Sequence, residues 1–370
     1  MGNCKKLSVL FMNLFEMLDD APVTLVLGAG ASMDYGLPSW EQLKKQLIEI
    51  ADAKNAELNI SEDIGNFWFN ELSSIDDLTT LDAVAGKIES NEYYSAFQKM
   101  TAYALLLGEE KAAKETKDKW IERFSLACVA YLNDTRATTD RKSYEQRMKN
   151  LNKISVVSLN YDRVFQFKLM NKMTATLGGL TFSRQKEKLL KWPRPNFSVT
   201  MIQPHGAIGL LKGTSSGDRT ILSRELSKFG QEPFAIFWSA HSSYSILRQL
   251  VDFGRTDHFL KICEKGGVDA DLHLNIIAVD DLIEGADVSN YDVADALLAE
   301  NNIICIGLSH VGLNNSRLNF SKANHVILTN SKSEVNEIDP KRLPETSKIQ
   351  FWDDGKFATE LFDELIPDIQ

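Results

Sequence analysis

Four short blocks of this 370-residue chain carry residue types suited to handling a phosphorylated or sugar-bearing ligand. The first is Leu27-Gly28-Ala29-Gly30-Ala31-Ser32. Its small residues let backbone approach a ligand closely and permit positive φ, and a helix starting behind them would aim N–H groups at a phosphate. Residue 33 is Met and the next glycine is Gly36, so the run is not a full Gly-x-Gly-x-x-Gly. A dinucleotide turn and a plain tight turn are both open. The second block is Ser158-Leu159-Asn160-Tyr161-Asp162-Arg163. Asn160 offers donor and acceptor together to a sugar hydroxyl, a water or a carboxamide, and Asp162 can accept from an amide NH2. The same pair also reads as an Asn/Asp turn capping the next helix.

The third block, Gln203-Pro204-His205-Gly206, sets one of six histidines between a proline and a glycine. Such a loop can present an imidazole to a cleft, ready for general base work near neutral pH. His241, His258, His273, His310 and His325 have no comparable setting and read as surface or packing residues. The fourth block, Gly307-Leu308-Ser309, puts Gly307 and Ser309 where ribose or phosphate contact would suit them, and Thr329-Asn330 adds a polar pair further on. Between the first block and the next helix lies Tyr35-Gly36-Leu37-Pro38-Ser39-Trp40. Ser39 and Gln42 form a capping box, so Leu37 and Pro38 lie on a loop that is either a kink between helices or a cover for a bound ligand.

These blocks need strands to hold them. Val23–Leu27, Ile154–Leu159, Asn275–Val279, Ile303–Ile306 and His325–Leu328 are short apolar runs rich in β-branched residues, each ending in a turn signal. Continuous apolar runs of this kind mark parallel strands covered on both faces. The predicted class is α/β: an open, mostly parallel Rossmann-like sheet with helices on both faces. Residues 61–150 contain no proline and read as a large helical insertion, with helices over Tyr93–Leu107 and Trp120–Leu132 and a charged turn at Gly108–Lys111. The expected organisation is an N-terminal helix in 1–20 (Leu7–Leu18), a core from 21–60 and 151–370, and the insertion at 61–150. Within the core, Leu177–Asp218 reads as irregular and Phe234–Cys263 as helical.

Composition removes several functions. Lys and Arg total 41 against 51 Asp and Glu, giving a net charge of −10, and an acidic chain repels phosphate backbones. Nucleic-acid binding is therefore not expected. Cys4, Cys128, Cys263 and Cys305 are too scattered for a zinc module or a disulfide framework, and they suit a reducing cytoplasm. No run approaches the roughly 18 apolar residues of a membrane span. The N-terminal segment lacks a cleavage site, and Lys6 stands where a myristoylation signal wants Ser or Thr.

Taken in order, GAGAS, GLPSW, SLNYD, HG and GLS resemble the sirtuin family, in scattered blocks from Val23 to Asn330. The resemblance implies that Gly28, Ala29, Gly30 and Ser32 bind NAD phosphates and that Leu37 and Pro38 belong to the cofactor loop. It implies that Asn160 contacts the nicotinamide-side ribose or the attacking water, Asp162 the carboxamide, and that His205 is the general base. Gly307 and Ser309 would meet the adenosine side, with Asn330 beside them. The departures are specific. The four-cysteine zinc module of deacylating sirtuins is absent, Ser39-Trp40-Glu41 replaces their Asp-Phe-Arg, and Tyr161 replaces Ile. These features resemble the sirtuin-like branch of bacterial antiphage defence, whose implied activity is metal-free hydrolysis of NAD to nicotinamide and ADP-ribose. A non-enzymatic sensor of NAD or ADP-ribose and an NAD-dependent protein deacylase are the alternatives. The resemblance further implies homo-oligomers and a separately encoded activating partner, such as an ATPase, in the cytoplasm.

Overall fold

A run of five buried residues, Val23–Leu27, forms β1, the centre of the sheet. β2 (Ser155–Ser158) pairs parallel on one side and carries β3 (Phe197–Ile202) beyond it; β7 (Asn302–Ile306), β8 (His325–Leu328) and β9 (Ile349–Phe351) follow in parallel on the other. β5 (Phe234–Trp238) closes the β3 edge antiparallel. The order is β5-β3-β2-β1-β7-β8-β9, an α/β open sheet of six parallel strands with one antiparallel edge. The structure is a computed structural model and describes residues 12–75, 88, 90–133, 141–173, 197–203, 206–208, 234–238, 253–264, 275–276, 294–315, 318–329, 336–351 and 358–366.

Alternate residues of each strand enter different cores, as the two-residue strand period requires. Val23, Leu25, Leu27 and Val156 join a large cluster with Leu47, Trp68, Met100 and Phe124. Val26, Val157, Ile303 and Cys305 join a second with Leu298, Leu313 and Phe320 on the opposite face. Because both faces are buried, the strands read as unbroken apolar runs. The large cluster is built by α1 (Leu14–Asp20), α3 (Trp40–Ala53), α4 (Glu62–Ser74), α5 (Asn91–Lys114), α6 (Trp120–Asn133) and α7 (Arg141–Leu151). The helices of the long segment between β1 and β2 thus share one core with the central strands.

Several expectations are corrected. The N-terminal helix begins at Leu14, because Asn13 accepts hydrogen bonds from Phe15 and Glu16 N–H while Glu16 reaches back to Asn13 N–H, a capping box that starts the helix there. Residues 7–11 lie outside the described part. Gly108–Lys111 is not a turn; α5 runs through it to Lys114. Phe234–Trp238, expected as helix, pairs as a strand against β3. Asn275–Ile276 (β6) is paired antiparallel with Gly206–Ala207 (β4) in a separate two-stranded ribbon, not in the parallel sheet. The region 177–218 holds a six-residue parallel strand, β3, where only irregular chain is expected. No helix among the described residues is long and apolar enough to cross a membrane.

Candidate functional site

The chain builds β2 and β3 on one side of β1 and then returns to build β7, β8 and β9 on the other. Open α/β sheets place their ligands at the carboxyl ends of the strands where the order reverses. Here that point lies between β1 and β7, where two glycine turns meet. Gly28 N–H donates to Ile306 O and Gly30 N–H to Gly307 O, each at 2.9 Å. Gly307 has φ +63°, and its N–H is held by Thr329 Oγ1 at 3.1 Å. A Cβ on Gly30 would lie 2.7 Å from Gly307 Cα, and one on Gly28 would lie 2.6 Å from Gly307 O. The protein's own backbone therefore requires these glycines, before any ligand is considered. The side left to solvent carries Ala29, Met33 and Ser309. Met33, 44% exposed, occupies the position of a third motif glycine without needing close packing there.

Ser32 sits in α2 (Gly30–Met33) and faces the β2 turn. Its hydroxyl donates to Asp162 Oδ1 at 3.1 Å, and Asn160 Nδ2 donates to Gly28 O at 2.8 Å and lies 3.4 Å from Ser32 Oγ. Gly28, Ser32, Asn160 and Asp162 thus form one buried polar group, joined by a bond between residues 132 positions apart. Asp162 Oδ1 also accepts from Val164 N–H at 3.0 Å, which caps the helix over 164–173, here α8. The capping role and the place in the site coexist in one side chain. Ser309 is likewise a cap: its Oγ accepts from Gly312 N–H at the start of α11 (His310–Asn315), which comes after α9 (Thr256–Glu264) and α10 (residues 294–298) in the chain.

Burial pushes the Asp162 carboxyl up to about 6, against the opposing hydrogen bonds from Val164 N–H and Ser32. The folded chain then holds a proton that the unfolded chain, titrating near 3.8, gives up. This contribution to stability is full below about pH 4 and is lost as pH rises past about 6. Asp162→Asn removes that dependence, which is worth about 3 kcal/mol. Urea midpoints should show wild type losing stability relative to the variant between about pH 4.5 and pH 7.5. An equal difference at both ends would mean that Asp162 titrates as an ordinary carboxylate.

The helical layer props these turns from the side. Trp120, stacked between Phe165 and Phe362, donates through Nε1 to Ala31 O at 2.8 Å. Tyr35 is buried with its hydroxyl on Glu122 at 2.7 Å, and the Nζ atoms of Lys119 and Lys168 each lie 5.4 Å from its ring centroid. Leu37 is buried, and Leu37 and Pro38 pack on Gly108 of α5. The loop from Tyr35 to Pro38 is anchored at both ends, so the ligand-cover reading gains nothing from it. The next residue of α5, Glu109, accepts from Arg163 N, Nε and Nη2 and from Gly254 N–H. Both Glu109 and Arg163 are buried.

Of the residues singled out from sequence, the structure brings together Gly28, Gly30, Ser32, Asn160, Asp162 and Gly307. Ala29 and Ser309 flank them on the exposed side, and Leu37 and Pro38 lie on the anchored loop. His205 and Asn330 are outside the described residues. The neighbours of His205 along the chain are placed: Gln203 Nε2 donates to Asn160 O and Asp162 O at 2.8 and 3.3 Å, and Ile208 N–H donates to Tyr161 O at 2.9 Å. Gln203, Gln166, Glu109 and the role of Arg163 were not legible as site residues. Only the position of Gln203 two residues before His205 hinted at a place here. Among the described residues, no three His, Cys, Asp or Glu side chains group to hold a metal. No protein-family model matches the chain, and no curated protein does.

Proposed function

We propose that this chain is an NAD glycohydrolase, cleaving NAD to nicotinamide and ADP-ribose as a regulated effector of bacterial antiphage defence. One observation carries the reading: the turns after β1, β2 and β7 converge where an open α/β sheet holds a dinucleotide, and they bear three of the five sirtuin-like blocks, GAGAS, SLNYD and GLS. With no matching family model, the resemblance rests on those blocks and their order.

The chemistry asks little of the protein beyond position. The bond between C1′ of the ribose and the pyridinium nitrogen breaks, and its electron pair neutralises the departing nicotinamide, so no acid is needed. Water adds to C1′ and gives up one proton. His205 takes that proton, while Asn160 orients the ribose or the water. General base help contributes about 10²–10⁴-fold, and the remaining acceleration comes from holding NAD so that the bond is strained toward an oxocarbenium-like ribose. A freely running enzyme of this kind would drain its own cell, so activation by assembly or by a separately encoded partner, such as an ATPase, belongs to the proposal. So does a cytoplasmic location, where NAD is found.

A second reading has its own observation. Asn160 Nδ2 is taken up by Gly28 O, and Asp162 by Ser32 and Val164 N–H. Such a satisfied turn suits a non-enzymatic sensor of NAD or ADP-ribose. His205→Ala separates the two: the hydrolase loses nicotinamide release by about 10²-fold or more while still binding ADP-ribose. A sensor binds ADP-ribose equally well in wild type and variant and releases no nicotinamide in either.

A further inference from the structure

Two buried glutamines link the strand-end turns in a way that the hydrolase chemistry above does not use. Gln203 directly follows β3 and donates through Nε2 to two carbonyls of the neighbouring turn after β2, Asn160 O and Asp162 O. Its Oε1 accepts from Gln166 Nε2 at 2.9 Å. Gln166 stands in the first turn of α8, the helix that Asp162 caps. The circuit therefore closes: Asp162 starts α8, α8 presents Gln166, Gln166 orients Gln203, and Gln203 returns to the Asp162 backbone.

The orientation of both amides is forced. Two carbonyl oxygens can only be met by the NH2 end of Gln203, so its oxygen must face Gln166. Gln166 must then offer its own NH2, which turns its Oε1 away; that atom is buried without a partner among the described residues. Leaving a buried acceptor unpaired is costly, so the arrangement is worth that cost only if the Gln203 bonds matter. A few residues on, Ile208 N–H donates to Tyr161 O at 2.9 Å, a second tie to the same turn. In sequence the two ties bracket Pro204 and His205.

We propose that Gln203, held by Gln166, is a positioning residue: a clamp that fixes the end of β3 against the Asn160–Asp162 turn and so holds in place the turn that carries Asn160. The proposal rests on the hydrolase reading for its catalytic consequence and on geometry alone for the clamp. Gln203→Met keeps the volume and removes every polar bond. Gln166→Glu keeps the shape and, when ionised, sets an acceptor against Gln203 Oε1, so that Gln203 meets it by flipping and abandoning the two carbonyls.

The experiment is paired. Nicotinamide release from NAD and backbone amide exchange at Ile208 are followed in the full chain, as wild type, Gln203→Met, Gln166→Glu and Gln166→Met. The clamp gives a kcat about 10–100-fold lower in Gln203→Met and Gln166→Glu, with KM for NAD within about threefold, since a small misplacement of reacting groups acts on kcat. Ile208 exchanges at least about tenfold faster in both, because its bond to Tyr161 O shares the clamped turn. Gln166→Met, which opposes nothing, is milder on both readouts. A kcat within about twofold of wild type, or unchanged Ile208 exchange, in well-folded Gln203→Met overturns the proposal. If wild type releases no nicotinamide while Ile208 exchange still rises in the variants, the clamp stands and the hydrolase reading falls.

Discussion

Gly307→Ala is expected to destabilise the fold by about 3–5 kcal/mol and to abolish ligand binding at the switch point. Two independent costs add. The φ of +63° is a left-handed conformation that a Cβ makes unfavourable. The new Cβ would also sit 2.1 Å from Ala31 N and 2.5 Å from Gly30 Cα, both backbone atoms that cannot rotate away. The two turns would have to part, breaking the Gly30 N–H to Gly307 O bond that joins them. Gly312→Ala is the control. It lies in α11, where the tightest neighbour of an added Cβ is Ser309 Oγ at 3.3 Å, and alanine is the better helix former. Its urea midpoint should stay within about 1 kcal/mol of wild type. Equal midpoints for the two variants would show that the turns after β1 and β7 do not touch.

Glu109→Ala is expected to cost about 3–5 kcal/mol, the usual penalty for stranding one member of a buried ion pair. Glu109 is fully buried and its carboxylate receives four hydrogen bonds, three from Arg163 and one from Gly254 N–H. Removing it leaves the Arg163 guanidinium and two backbone N–H groups without that acceptor. Replacing both partners, as in Glu109→Leu with Arg163→Met, should recover part of the loss, because the stranded charge goes too. Recovery stays incomplete, since the backbone N–H groups of Arg163 and Gly254 still lack the carboxylate. Arg163 follows Asp162 directly, so Glu109→Ala should also loosen the Asn160–Asp162 turn. A loss below about 1 kcal/mol would place the pair in water, where such bridges contribute little.

The parts of this molecule that could be read from sequence are those where local pattern and global role coincide. Val23–Leu27 and Ile303–Ile306 are buried on both faces and lie side by side, so their unbroken apolar runs reported both strand and sheet type. Gly28, Ser32, Asn160, Asp162 and Gly307 were legible because each stands at the end of such a strand. Phe234–Trp238 was not. A five-residue apolar run has no period to tell strand from buried helix, and its pairing partner β3 lies outside any local window. Gly108-Glu109-Glu110-Lys111 looks like a turn by composition, yet its glycine makes room for Leu37 and its first glutamate is the buried partner of Arg163. That pair joins positions 54 apart on different elements, and neither residue carries a local sign of the other. The glycines carry the opposite lesson: the pattern suggesting a ligand is also what two crossing turns need for themselves.

The most direct test of the hydrolase account is nicotinamide release from NAD by the purified full chain. It is followed by chromatography, with and without extract of phage-infected cells, beside Asn160→Ala and His205→Ala. The account predicts release by wild type, with the extract if not without it, and loss of about 10²-fold or more in both variants. Because Asn160 Nδ2 also bonds Gly28 O, the Asn160 variant should be about 1 kcal/mol less stable as well. His205→Ala therefore gives the cleaner comparison. No release by wild type under either condition, or equal release by wild type and His205→Ala, contradicts the account.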